Sequence, residues 1–162
     1  MTPRLDNSQT VEKLAFETDA GIGYRARIGL LVLQTDQTLE AELAALMAIE
    51  GVALYHARLA NDAVVSPRSL ARMAEELPRA AELIAPSLGL AAIGYACTSG
   101  ATIIGETRVA EILARIHPGV PCTNPLTAAK AALAALGAAR VGLVTPYTPD
   151  VTLAMQANFS AA

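Results

Sequence analysis

The sequence has no tryptophan and few other aromatic residues, four tyrosines and two phenylalanines. A core built from stacked rings is therefore excluded, and aliphatic side chains must fill the interior. It has only two cysteines, Cys97 and Cys122, too few for a disulfide scaffold, so reduced thiols are expected. Charge is sparse, at 17% of residues against about a quarter in ordinary domains. With 53% hydrophobic residues, that scarcity excludes intrinsic disorder. The net charge of −3 argues against a general nucleic-acid-binding surface. No apolar run approaches the roughly 18 residues of a membrane span. The polar opening MTPRLDNSQTVEKLAFETD has no apolar stretch of the kind a signal peptide needs. Glycine-rich dinucleotide fingerprints and phosphate-binding loops are missing, and neither His56 nor His117 has metal-ligand spacing around it. A cytoplasmic domain with no membrane, nucleic-acid or metal partner is the expectation.

What the sequence does have is alanine, 34 of 162 residues, and a regular alternation of apolar runs with helical patterns. Residues 1–24 show no clean period and read as an irregular leader. A continuous apolar run predicts a strand buried on both faces near 27–33, and further strands read near 52–59, 89–96, 120–122 and 140–145. Between them lie helical patterns from Leu39 to Glu50, from the Ser66-Pro67 cap toward Ala85 with a disturbance at Pro78, from the Thr98 region to about Ile116, from Leu126 to Leu136, and from Pro149 to Ala161. Strict alternation implies an α/β fold, a doubly wound parallel sheet with helices on both faces. In such sheets ligands bind at the carboxyl ends of the strands, so the loops at 34–38, 60–66, 97–100, 122–125 and 145–149 carry the interest.

One internal similarity bears on domain organisation. Arg27-Ile-Gly-Leu-Leu-Val-Leu-Gln-Thr35 aligns without gaps on Arg140-Val-Gly-Leu-Val-Thr-Pro-Tyr-Thr148. Read literally, residues 25–139 are a first α/β lobe and 140–162 begin a second, incomplete one. The expectation is a flavodoxin-like lobe of a two-lobe protein whose second lobe is truncated.

The strongest local constellation is Cys97-Thr98-Ser99-Gly100, where a thiol ends a strand and meets the start of a helix. Backbone N–H groups there favour a thiolate, and the hydroxyls of Thr98 and Ser99 suit a carboxylate. A buried cysteine beside an ordinary cap reads equally well from spacing alone. Thr35 and Asp36 follow the first strand, where a capping role competes with substrate binding. Thr145, Tyr147 and Thr148 follow the fifth; Tyr147 could donate its phenol to a substrate or simply mark a rigid turn. Cys122, between prolines, reads as a spectator thiol, and His56 and His117 as structural.

Taken together, Tyr95-Ala-Cys-Thr-Ser-Gly100, the Leu-Gln-Thr-Asp-Gln-Thr38 loop and Leu143-Val-Thr-Pro-Tyr-Thr148 resemble the aspartate/glutamate racemase superfamily, which also holds hydantoin racemases, maleate cis-trans isomerases and arylmalonate decarboxylases. The pattern is most similar to a branch found with ectoine-utilisation genes, and the resemblance covers residues 25–160. It implies two similar α/β lobes with the active site between them, no cofactor, and catalysis by one cysteine per lobe. Carried over, Cys97 is the first-lobe cysteine, Thr98 and Ser99 belong to the carboxylate-binding loop, and Thr35, Asp36, Thr145, Tyr147 and Thr148 are substrate-binding. Asp36 stands where maleate isomerases have Asn. The second cysteine has no counterpart, and Cys122 is at the wrong offset, so this chain alone is expected to be inactive. The implied function is a racemase or isomerase of a small amino acid or dicarboxylate, in ectoine breakdown. The alternatives are maleate isomerisation, arylmalonate-type decarboxylation, or a silent carboxylate-binding lobe. A homo-oligomer is expected.

Overall fold

The computed structural model describes residues 13–62 and 64–161. Residues 13–25 form neither helix nor strand, and the rest of the expected leader, 1–12, lies outside the described residues. Four strands follow: β1 (Ala26–Leu33), β2 (Val52–Leu59), β3 (Ala92–Tyr95) and β4 (Cys122–Thr123). They make one sheet in the order β2-β1-β3-β4, with every pairing parallel. The α/β reading of the sequence is thus what the chain adopts. In β1 four consecutive positions, Gly29 to Val32, are buried. A strand alternates its side chains, so such a run means that both faces are covered there.

The helices are α1 (Leu39–Leu46), α2 (Pro67–Glu82), α3 (Thr98–Ile104), α4 (Glu106–Ile116), α5 (Pro125–Ala135) and α6 (Pro149–Ser160). Ser66 and Ser69 close a capping box at the start of α2, and Pro67 takes the first helical position. The helix runs straight through Pro78, where a disturbance is expected from sequence. Pro78 forfeits one backbone hydrogen bond, but Met73, Leu77, Ala80 and Ala81 are buried on either side of it and hold the helix against the core. By contrast α1 buries none of its residues and ends at Leu46, short of the expected Glu50.

Three further corrections follow from packing. The expected helix from the Thr98 region to Ile116 is two helices, broken at Gly105, whose φ of 92° an L side chain rarely adopts. The third strand begins at Ala92 rather than Gly89, because Pro86–Leu88 forms a short 3-10 turn. The expected strand at 140–145 is not formed. Its residues take no regular structure and pair with no neighbour among the described residues, and Val144 is 96% exposed. The sheet stops at β4, two residues long, and no ladder reaches 140–145. An apolar sequence becomes a strand only where a partner supplies its hydrogen bonds.

The core is aliphatic, as the composition demands, with Leu31, Leu59, Leu77, Ile93, Leu113 and Leu126 almost wholly buried. His117 is buried as well, with Nε2 3.0 Å from the Ala81 carbonyl oxygen, a structural link between α4 and α2. No helix among the described residues is long and apolar enough to cross a membrane.

Candidate active site

Strand order places the candidate residues before any side chain is considered. From β1 the chain crosses to β2 on one side of the sheet, then returns to β3 on the other side of β1. The winding therefore reverses between β1 and β3, and a crevice at the carboxyl ends of those two strands is the expected ligand position of an open parallel sheet. Leu31 of β1 is in register with Tyr95 of β3, and the Ala96 N–H donates to the Leu31 carbonyl. The loops beginning at Gln34 and Cys97 consequently emerge side by side.

Cys97 leaves β3 in extended backbone and is the N-cap of α3. Its Sγ accepts the Gly100 N–H at 3.2 Å and lies 3.7 Å from Ser99 Oγ. Both Cys97 and Ser99 are buried. A thiol at this position takes the place of the usual Ser or Asp cap, so a negative sulfur would meet an N–H donor already aimed at it. Thr98 is half-buried, and its carbonyl accepts the Thr102 hydroxyl, which tightens the first turn.

On the β1 side, Thr35 is exposed and paired with Asn61 beyond β2: its N–H and hydroxyl reach Asn61 Oδ1 at 3.2 and 3.3 Å. Asp36 Oδ1 accepts the N–H groups of Leu39 and Thr38, at 2.8 and 2.9 Å. These two donors, Leu39 foremost, hold its carboxyl below the usual aspartate range. Asp36, two residues before the N-cap Thr38, thus ties down the start of α1 and is a fixed negative charge at the same time. Arg58, which the sequence reading passed over, braces this loop by donating to the Gln34 and Asp36 carbonyls and to the Glu40 carboxylate.

The third group lies before α6 rather than at a strand end. The Thr145 hydroxyl meets the Thr152 hydroxyl at 2.6 Å, Thr148 donates to Asp150, and half-buried Tyr147 packs against the core. Because α6 packs on α3, this segment is carried by the same helix that Cys97 caps. Cys122 is half-buried at the sheet edge, and burial pushes its thiol up. A groove of about 710 Å³ lies along α5, residues 138–143 and α6, and Cys97 does not line it. Its walls carry no nucleophile that the sequence singles out, so its size does not make it the reaction site.

No protein-family model matches the chain, and no curated protein does. Solved structures do. The maleate isomerase Iso from Pseudomonas putida S16 is 25% identical with a TM-score of 0.70, over 84% of this chain and 59% of that one. A mutant of Nocardia farcinica maleate cis-trans isomerase with a covalently bound succinylcysteine intermediate is 31% identical with a TM-score of 0.71, over the same shares. Unliganded arylmalonate decarboxylase, at 24% identity and a TM-score of 0.60, shares the fold. These structural neighbours are an isomerase and a decarboxylase of the aspartate/glutamate racemase-like superfamily. The chain spans 59% of the length of the isomerases.

Tyr95 is the residue whose part in the site the sequence did not disclose. It stands within the quoted Tyr95–Gly100 motif, yet an apolar strand accounts for it fully until its hydroxyl is located. That hydroxyl is buried beside Cys97.

Proposed function

We propose that the chain is the cysteine-bearing lobe of a cofactor-independent isomerase or racemase of small carboxylates, with Cys97 as the reacting thiol. The observation that carries the reading is the placement of Sγ: buried, at the winding reversal of the sheet, and already accepting a backbone N–H. Two reactions suit that sulfur. Toward a cis-alkene dicarboxylate, a thiolate adds to one olefinic carbon while the other takes a proton. Rotation about the new single bond and loss of the proton and the thiolate give the trans isomer. Toward an amino acid, the thiolate removes the Cα proton, and neighbouring N–H and hydroxyl donors hold the negative charge that moves onto the carboxylate oxygens. The succinylcysteine found in the Nocardia enzyme supports the first chemistry. The ionised Asp36 beside the site supports the second, since a fixed negative charge favours a substrate with a cationic amino group over a dianion. A role in ectoine breakdown belongs to this proposal and rests on the Thr-Asp-x-Thr and Cys-Thr-Ser patterns alone.

The test exploits an inversion of access. Cys122 is the more exposed of the two thiols, so reaction at Cys97 reports activation and not mere exposure. The chain is incubated with maleate and its mass measured intact and by peptide. In parallel, small amino acids are incubated with it in heavy water and examined for deuterium at Cα. A succinyl adduct on Cys97, or exchange abolished by Cys97→Ser and kept by Cys122→Ser, supports the proposal and chooses between the reactions. An adduct confined to Cys122, or neither adduct nor exchange, overturns it in favour of a silent binding lobe.

A further inference from the structure

Among the described residues, the Tyr95 hydroxyl is the one buried side-chain oxygen or nitrogen with no hydrogen-bond partner. The residue is wholly buried. A phenol left unpaired in a core is costly, and phenylalanine would fill the same space without that cost. The oxygen is also not loosely placed. A β-carbon on Gly100 would overlap it, and would stand 2.9 Å from Cys97 Sγ and 3.0 Å from Tyr95 Cζ. The tip of the ring, the sulfur and the backbone of α3 therefore meet at one point, and a glycine makes room for the meeting.

A sulfur that gains a negative charge can accept more donors than the Gly100 N–H and the Ser99 hydroxyl already beside it. The phenol is suited to serve, because burial pushes its own ionisation far upward and the neighbouring Cys97 charge adds to the push, so it keeps its proton. Few other ionisable groups compete. The residues that β1, α2, α4, α5 and α6 bury here are apolar or carry hydroxyls, apart from the neutral amide of Asn124, which caps α5, and His117, which is tied to Ala81; β4 adds the half-buried Cys122 thiol. The half-buried charged groups of those elements are Arg27, bonded to the Leu88 carbonyl, and the pair Glu106–Lys130; half-buried Tyr147 precedes α6.

We propose that the Tyr95 hydroxyl is a positioning group for Cys97, unpaired while the thiol is neutral and donating to Sγ once it ionises. The proposal rests on the reading of Cys97 as the reacting thiol. It adds that the charged sulfur is held from the core side by a phenol and from the helix side by a backbone N–H. The side that remains is the one a substrate would approach.

Cys122→Ser leaves Cys97 as the only cysteine, and ¹³C at cysteine Cβ makes its ionisation readable by NMR across pH. Adding Tyr95→Phe should move the midpoint up by about one pH unit, a roughly tenfold loss of thiolate below the midpoint. A purely structural tyrosine would alter unfolding but leave that midpoint in place. Superimposable titrations, or a Cys97 that does not ionise, overturn the proposal. Should the double variant fail to fold, the Cys122→Ser chain carrying ¹³Cζ-tyrosine gives the answer. The Tyr95 signal should shift with the Cys97 midpoint and lose that shift in Cys97→Ser; a signal that stays flat through the midpoint overturns the proposal. Adduct formation with maleate tests the reactive-thiol reading separately, so either conclusion can fail while the other stands.

Discussion

Replacing Gly100 with alanine sets two effects of known size against each other. Gly100 lies in the first turn of α3, and an alanine in a helix is favoured over glycine by up to about 1 kcal/mol. Against that gain, the new methyl would overlap the Tyr95 oxygen and approach both Cys97 Sγ and Tyr95 Cζ more closely than β-carbons normally do. Tyr95 cannot swing aside, because it is fully buried with the tip of its ring against α3, and the ring is rigid. Overpacking of this kind costs about 1–3 kcal/mol. The net expectation for Gly100→Ala is a destabilisation of about 1–2 kcal/mol, read as a lower urea midpoint with an unchanged slope. Tyr95→Phe removes the overlapping oxygen, so the double variant should recover part of the loss, a coupling of about 1 kcal/mol. Recovery is partial because the contacts to Sγ and Cζ persist. A Gly100→Ala chain as stable as the parent, or more so, would refute the geometry on which the crowding argument stands.

Two other expectations follow from the caps. Ser66→Ala removes the side-chain half of the α2 capping box and should lower stability by about 1 kcal/mol in the same urea assay, with Ser66→Asp restoring most of it. Asp36 has its folded-state ionisation depressed by the Leu39 and Thr38 N–H groups, so its contribution is present above the unfolded aspartate range near pH 4 and is lost as pH falls through the lower folded value. Amide exchange at Leu39 and Thr38 should therefore quicken below about pH 4 relative to the intrinsic rate, and Asp36→Asn should flatten that dependence while exchange elsewhere in the sheet is unaffected.

Strand β1 was legible as an apolar run long enough to cross a sheet covered on both faces, and β2 falls at Val52–Leu59 as expected, although His56 and Arg58 interrupt its apolar residues. The capping signal at Ser66-Pro67 was legible for a local reason: the two residues that close it are three positions apart. What failed to show was non-local. Arg140-Val-Gly-Leu-Val has the same texture as β1, yet no neighbour offers it a ladder, and texture alone does not make a strand. The break between α3 and α4 turned on one glycine inside a segment whose helical pattern runs straight past it. In the candidate site, Cys97 was legible from the run of residues around it. Tyr95 was not, because a hydroxyl without a partner is a property of the space around it. Arg58 was missed for a similar reason, since its acceptors are carbonyls from a loop distant in sequence.

The register between Leu31 and Tyr95 also sets a time order on the thiol. β1 and β2 are joined by a short crossover and can find each other early, whereas β3 must close a much longer loop before it docks against β1. Until that closure Cys97 lacks its cover and is an open cysteine on a nascent chain. Its vulnerability to oxidation is therefore greatest during synthesis and refolding, and an oxidant pulse given then should mark Cys97 far more heavily than the same pulse given to the folded chain.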